Sequence, residues 1–198
     1  CYSTGSVVTT AGHSAAGIVG RLNTYAATVD NCFSTGDIQS YSSTKDVSSY
    51  SGGIVGIVGV TGCRITNCYV AGKVLSTSNI ATSYSGAGGI AALANVKTTN
   101  IGGCAVLSGK VAAASIVKDS SHFVYASAMA NGYTTGYPTA LAGKSNFYSN
   151  DTVIGFRRNS SSYAATHIYH GTIMPADKFT QTETYQDSVY GLGWDFDN

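Results

Sequence analysis

Glutamate is nearly missing from this chain: Glu183 is the only copy in 198 residues, and leucine is sparse where Gly, Ser, Thr, Val and Ile abound. Glycine costs about 1 kcal/mol in a helix interior, and β-branched residues lose rotamer freedom there. Helical repeats are thereby excluded and strands predicted. Charge is scarce as well, with 11% charged residues, a net charge of +1 and scattered Lys and Arg whose sole adjacent pair is Arg157-Arg158. A nucleic-acid partner needs a clustered basic face, so none is expected. No apolar run reaches the roughly 18 residues of a membrane span, and no secretory leader is expected within this sequence. The longest such stretch, Gly52 to Val60, is broken by four glycines, so no transmembrane segment is predicted.

Chemical signatures are absent too. There is no Cys-x-x-Cys pair for zinc and no His-Glu-x-x-His, although His167-Ile168-Tyr169-His170 has the outer spacing. The glycine-rich phrases lack the Lys-Ser/Thr ending of a phosphate loop. Ten carboxylates are spread along the chain without a shared period. Asp30 has Thr66 and Gly102 at its equivalent positions, and Asp37 is followed by Lys73 and Lys110, a candidate surface charge ladder. The expectation is a chain with no catalytic residues, no metal and no cofactor, and therefore not an enzyme.

What the chain does have is a beat. Gly17-Ile18-Val19-Gly20, Gly53-Ile54-Val55-Gly56 and Gly89-Ile90-Ala91-Ala92 follow one another at 36 residues. Fifteen residues after each leading glycine come Cys32, Cys68 and Cys104, with Val29, Ile65 and Ile101 three residues before them. Self-similarity at such a period marks stacked units that bury their apolar faces only against one another. Alternation places Val29, Asn31 and Phe33 on one face of a strand and Asp30 and Cys32 on the other. Ile38, Val74 and Val111 return after the cysteines, the last shifted by one, which puts Gly36, Gly72 and Gly109 at turns. The chain opens inside a phrase, Cys1 to Val7 matching Cys32 to Ile38, and reads as a piece of something longer.

The interval from cysteine to the next leading glycine varies, at 16, 21 and 21 residues. It holds Tyr41 to Ser51 and Leu75 to Ser85, Ser/Thr/Tyr-rich stretches expected as surface loops. Fourteen tyrosines are present, and Tyr41, Tyr50, Tyr84, Tyr133 and Tyr137 are the candidate binding residues, since Tyr with Ser and Gly makes an adaptable contact surface and stacks on sugars. Against this, Tyr50 and Tyr84 are also candidates for packing between neighbouring coils. Cys1, Cys32, Cys68 and Cys104 are read as a ladder of small buried groups, with a disulfide left open for Cys63. Asp151-Thr152-Val153 and Asp187-Ser188-Val189 resemble a short O-glycosylation pattern, which makes Thr152 and Ser188 candidate acceptors. Trp194 and Phe196, alternating with Asp195 and Asp197, read as a final strand capping the stack.

Gly52-Gly53-Ile54-Val55-Gly56 followed by Ile65 to Val74 resembles the GLUG-type repeat, with Ile where its Gly-Leu-any-Gly core has Leu. Asn146-Phe147-Tyr148-Ser149 resembles a degenerate Asn-Cys-Tyr-Ala phrase. Such repeats occur in large bacterial surface proteins, adhesin-like proteins and the non-catalytic part of some IgA-specific metalloproteases among them. The resemblance implies an all-β parallel β-helix, a right-handed β-solenoid of about 36-residue repeats over residues 1–111, with a degenerate repeat and capping region of the same domain over 112–198. It also implies a cell-surface or extracellular location. The function expected is adhesion or structural display without catalysis, toward a cell-surface glycan or protein or by self-association. A surface-filament subunit and a carbohydrate-active β-helix enzyme are the alternatives.

Overall fold

The structure, a computed structural model, describes residues 1–80, 83–94, 99–115, 124–132, 139–140, 144–157 and 168–181. Among these the chain is all-β apart from a single 3-10 segment at Ala176–Thr180. Its short strands gather into five sheets, parallel except for one antiparallel pair. Sheet 1 holds Tyr2–Ser3, Phe33–Ser34, Tyr69–Val70, Ala105–Val106, Phe147–Ser149 and Thr172–Met174. Sheet 2 holds Val7–Thr9, Ile38–Ser42, Val74–Ser78, Lys110–Ser115 and Val153–Arg157. Sheet 3 is Ser14–Ala16, Ser49–Gly52, Ser85–Gly88 and Val124–Ser127; sheet 4 is Val19–Leu22, Val55–Val58, Ala91–Ala94, Ala130–Gly132 and the antiparallel Ile168–Tyr169. Sheet 5 is Thr28–Asp30, Arg64–Thr66, Asn100–Gly102 and Thr139–Ala140. Each circuit of the chain lays one strand on each sheet in turn, the arrangement of a β-helix or solenoid. No described helix is long and apolar enough to cross a membrane.

The apolar columns stand in register. Val29, Ile65 and Ile101 pair in sheet 5, and Ile38, Val74 and Val111 in sheet 2, so the one-residue shift before Val111 is absorbed at the bend around Gly109. Circuits are not of one length: Tyr2 pairs with Phe33, 31 positions on, Phe33 with Tyr69, 36 on, and Ala105 with Phe147, 42 on. Inside, Ile54, Ile65, Ile90, Ile101, Val70 and Val106 are fully buried. Each contributes roughly 1.5–3 kcal/mol relative to an exposed position. Outside sheet 1, Tyr2, Phe33 and Tyr69 stack ring on ring at 5.2 and 5.0 Å.

The alternation read into Val29, Asn31 and Phe33 fails at Asn31. Backbone in the left-handed region at Asn31 (φ 52°), Asn67 (φ 52°) and Gly103 (φ 66°) splits the phrase into two strands with a corner between. Asn and Gly adopt that conformation at least cost. The corner resets the faces, so Val29 and Cys32 both point inward while Asp30 and Asn31 are exposed. Cys32, Cys68 and Cys104 are free, buried thiols at this corner; Cys63 is also free and buried, and Cys1 is exposed. Hydrogen bonding with Cys104, then burial, raises the Cys68 thiol far above its ordinary range. It stays protonated at neutral pH and serves as a small apolar group.

The segments expected as Ser/Thr/Tyr loops are strand at both ends, with a turn over residues 43–48 in the first, and the serines of those strands form a buried lattice between sheets 2 and 3. Ser40 Oγ lies 2.7 Å from both Ser49 Oγ and Ser51 Oγ, and Ser76 Oγ lies 2.9 Å from Ser85 Oγ and donates to the Ser49 carbonyl at 2.8 Å. A hydroxyl both donates and accepts, so serines facing one another across two sheets supply each other's bonds and tolerate burial. The Asp37–Lys73 contact is likewise not a charge ladder: Asp37 Oδ1 accepts the backbone N–H of Lys73 at 2.9 Å and tethers one coil's turn to the next. Asp30 is held in the same way, accepting from Thr66 Oγ1 at 2.5 Å and Asn67 Nδ2 at 3.0 Å.

Candidate binding site

Sheets 3 and 4 meet at a corner that folds inward, because Gly52 and Gly88 leave room for the chain to turn back on itself. A Cβ on Gly52 would lie 1.8 Å from the Val55 carbonyl oxygen, and one on Gly88 1.9 Å from that of Ala91. The outer faces of the two sheets therefore converge. A second apolar cluster fills the cleft, with Tyr50, Ile57, Ala92, Leu93 and Tyr125 buried and Tyr84 packed against them. Across sheet 3 the column facing this cleft reads Ser14, Tyr50, Gly86, Tyr125, and across sheet 4 it reads Arg21, Ile57, Leu93. The rings of Tyr50 and Tyr125 close over Gly86, where a Cβ would meet them at 3.0 and 2.7 Å.

At the first coil the filling stops. Ser14 and Arg21 stand where later coils place aromatic and aliphatic side chains, and a pocket of about 270 Å³ opens, lined by His13, Arg21, Tyr50, Ile57, Tyr84 and Leu93 with Ser48 at its edge. The His13 ring stacks on Tyr50 at 5.6 Å. Ser48 Oγ accepts the Tyr84 backbone N–H at 3.2 Å and fixes the chain beside that ring. Asn23 Oδ1 accepts from Arg21 Nε at 2.9 Å and holds the guanidinium. None of the lining residues is a carboxylate.

Of the five candidate tyrosines, Tyr50 and Tyr84 come together here, Tyr50 only 5% exposed and Tyr84 half-buried. Tyr41 lies apart, on sheet 2, where its Oη accepts from Asn79 Nδ2 at 2.7 Å. Tyr133 and Tyr137 fall outside the described residues, as do Ser188 and the closing segment with Trp194 and Phe196. Thr152 is buried, its hydroxyl enclosed without a hydrogen-bond partner, so the folded chain hides it from a glycosylating enzyme. Sequence reasoning missed His13, Arg21, Ile57 and Leu93. The signal available was Arg21 itself, a charge at the place in the repeat that holds Ile57 and Leu93.

A wider depression of about 460 Å³ lies along sheet 2, over Leu75, Thr77, Ala112 and Ala114, with Lys110 its one charged lining residue. No group of three His, Cys, Asp or Glu side chains with metal-binding geometry occurs among the described residues. His167 lies outside them, but His170 has a clear role. Its Nδ1 accepts the Ala128 backbone N–H at 3.2 Å, which requires the neutral ring, and burial lowers its pKa. The folded chain therefore resists a proton that the unfolded chain takes up below about pH 6.5. Stability is expected to be full above that pH and to fall as pH drops below it. Urea midpoints at pH 7.5 and 5 check this, and His170→Gln should flatten the difference.

No family model and no curated protein matches the chain, so the GLUG likeness rests on its phrases alone. Among solved structures the chain is similar to a putative immunoglobulin A1 protease from Bacteroides ovatus. The likeness has 20% identity and a TM-score of 0.46, covering 90% of this chain and 61% of that one. This chain thus spans about three fifths of that structure's length. The expectation that the chain is not an enzyme is corrected on this point, because the similar structure bears the name of a protease. Protease activity is said of that protein; no active-site residue of this chain follows from it.

Proposed function

We propose that the chain is a binding and display module of a cell-surface or extracellular protein, whether that protein is an adhesin, a filament or an enzyme of which this is one part. In this reading residues 1–111 form the regular coils of a right-handed, GLUG-like solenoid, and residues 112–198 continue and close it. The observation that carries the reading is the pocket at the first coil. A column that is apolar in later coils becomes polar there, beside two tyrosines already held by His13 and Ser48. Rigid aromatic faces next to adaptable polar groups suit a glycan or a protein loop. The serine lattice and apolar columns behind them give a stiff backing, and binding groups on rigid elements keep their geometry.

The test is the labelled chain on arrays of cell-surface glycans and surface proteins. Binding is expected, and Tyr84→Ala should weaken it at least tenfold with little change in melting temperature, since Tyr84 is only half-buried. A chain that binds nothing on either array, or a Tyr84→Ala variant that binds as well as the parent, overturns the proposal.

A further inference from the structure

We infer that the first-coil pocket takes an acidic saccharide, a pyranose whose carboxylate is held by Arg21. The inference rests on reading the chain as a binding module and adds the chemistry of the ligand. Arg21 pairs in register with Ile57, which pairs with Leu93, so one cation stands at the open end of an otherwise aliphatic column. Its Nε is engaged by Asn23 Oδ1 at 2.9 Å, which fixes the plane of the guanidinium and leaves the terminal nitrogens as a two-pronged edge. Gly59 backs this pair: a Cβ there would lie 2.9 Å from Asn23 Oδ1 and 3.5 Å from Arg21 Nη2. A planar carboxylate matches such an edge bidentately.

The remaining lining fits the sugar ring. Tyr84, half-buried, offers aromatic surface to the C–H face of a pyranose, and Tyr50, Ile57 and Leu93 form the buried floor of the pocket. His13, stacked on Tyr50, brings a ring N–H donor in either protonation state. With Arg21 and His13 present and no carboxylate in the lining, the pocket complements a negative ligand. At about 270 Å³ it lies just below the range for ligand pockets, roughly 300–1,000 Å³, which suits one sugar residue at the end of a chain.

The experiment is calorimetry on the intact chain with uronate- and sialate-terminated oligosaccharides, each paired with its carboxyl-reduced, neutral form. At least one acidic member should bind at least tenfold more tightly than its neutral partner, with the preference shrinking as salt rises. Arg21→Gln should remove the preference, and Tyr84→Ala should weaken both forms. Equal affinity within every pair, a preference that survives Arg21→Gln, or no binding by any acidic member overturns the inference. If array binding that depends on Tyr84 persists in any of those cases, the binding-module reading stands while the acidic sugar falls. If the arrays are also blank, both fall.

Discussion

Gly89→Val is expected to leave the chain unable to fold. A Cβ at Gly89 would lie 1.9 Å from the Ala128 carbonyl oxygen and 2.8 Å from both methyls of Val106. The first obstacle is backbone of the next coil and the second is a fully buried core side chain, so neither can swing aside. Relief would require lifting one coil off the next, breaking the bonds from Gly89 N to Ser127 O at 3.1 Å and from Ile90 N to Met129 O at 2.9 Å. Substitutions of this kind exceed about 4 kcal/mol, against the 5–15 kcal/mol that holds a typical domain together. Gly109→Ala is the matched control: a Cβ there meets nothing within 4 Å, so stability should change by less than about 1 kcal/mol. Circular dichroism and urea midpoints of both variants decide the matter. A folded Gly89→Val protein with a midpoint near the parent's would mean that the coils are not packed this closely.

The same glycine shows how much was legible in the sequence. Gly17, Gly53 and Gly89 mark a corner at each circuit, and the columns Val29-Ile65-Ile101 and Ile38-Val74-Val111 could be written down from spacing, because a solenoid repeats its inward positions as it repeats its backbone. The corner at Asn31 and Asn67 was not legible. A residue in the left-handed region reads in sequence like one more member of an alternating strand, and only the turn of the chain reveals that Cys32 points the same way as Val29. The serines were misread for a related reason. Composition marks a run such as Ser48-Ser49-Tyr50-Ser51 as solvent-facing, yet burial was decided by hydroxyls meeting across two sheets, a tertiary fact that no single segment carries.

The candidate site was half legible. Tyr50 and Tyr84 could be picked out as tyrosines, but their partners lie in other columns, and the inward fold that brings sheet 4 against sheet 3 depends on Gly52 and Gly88 meeting the backbone of Val55 and Ala91. In a repeat the regular residues describe the scaffold, and the exceptions describe what the scaffold is for. Arg21 is one such exception, at the open end of an aliphatic column. Asn146 is another, and its effect is on stability.

Asn146→Ala is expected to cost several kcal/mol. Phe147 pairs with Ala105, so Asn146 occupies the place that Cys32, Cys68 and Cys104 hold in the preceding coils. It is 3% exposed, and its amide is used on every side: Oδ1 accepts the Cys104 N–H at 3.0 Å, and Nδ2 donates to the Ile101 carbonyl at 2.8 Å and to Tyr169 Oη at 2.9 Å. Tyr169 belongs to the antiparallel strand of sheet 4, so this one side chain joins a corner of the coils to the strand that departs from their pattern. Removing the amide orphans the buried Cys104 N–H, at about 1–3 kcal/mol, and takes a hydrogen bond from both the Ile101 carbonyl and Tyr169 Oη. Asn146→Cys restores the residue of the earlier coils without the amide and should be destabilised nearly as much. Asn146→Asp keeps an acceptor for Cys104 but faces the Ile101 carbonyl with a carboxylate, so it should be worse than Ala at neutral pH and recover in acid, where the protonated group donates again. Urea midpoints of the three variants at pH 7.5 and 4.5 distinguish this network from simple filling of space. A cysteine variant as stable as the parent would show that the column needs only bulk, and the amide would lose its role.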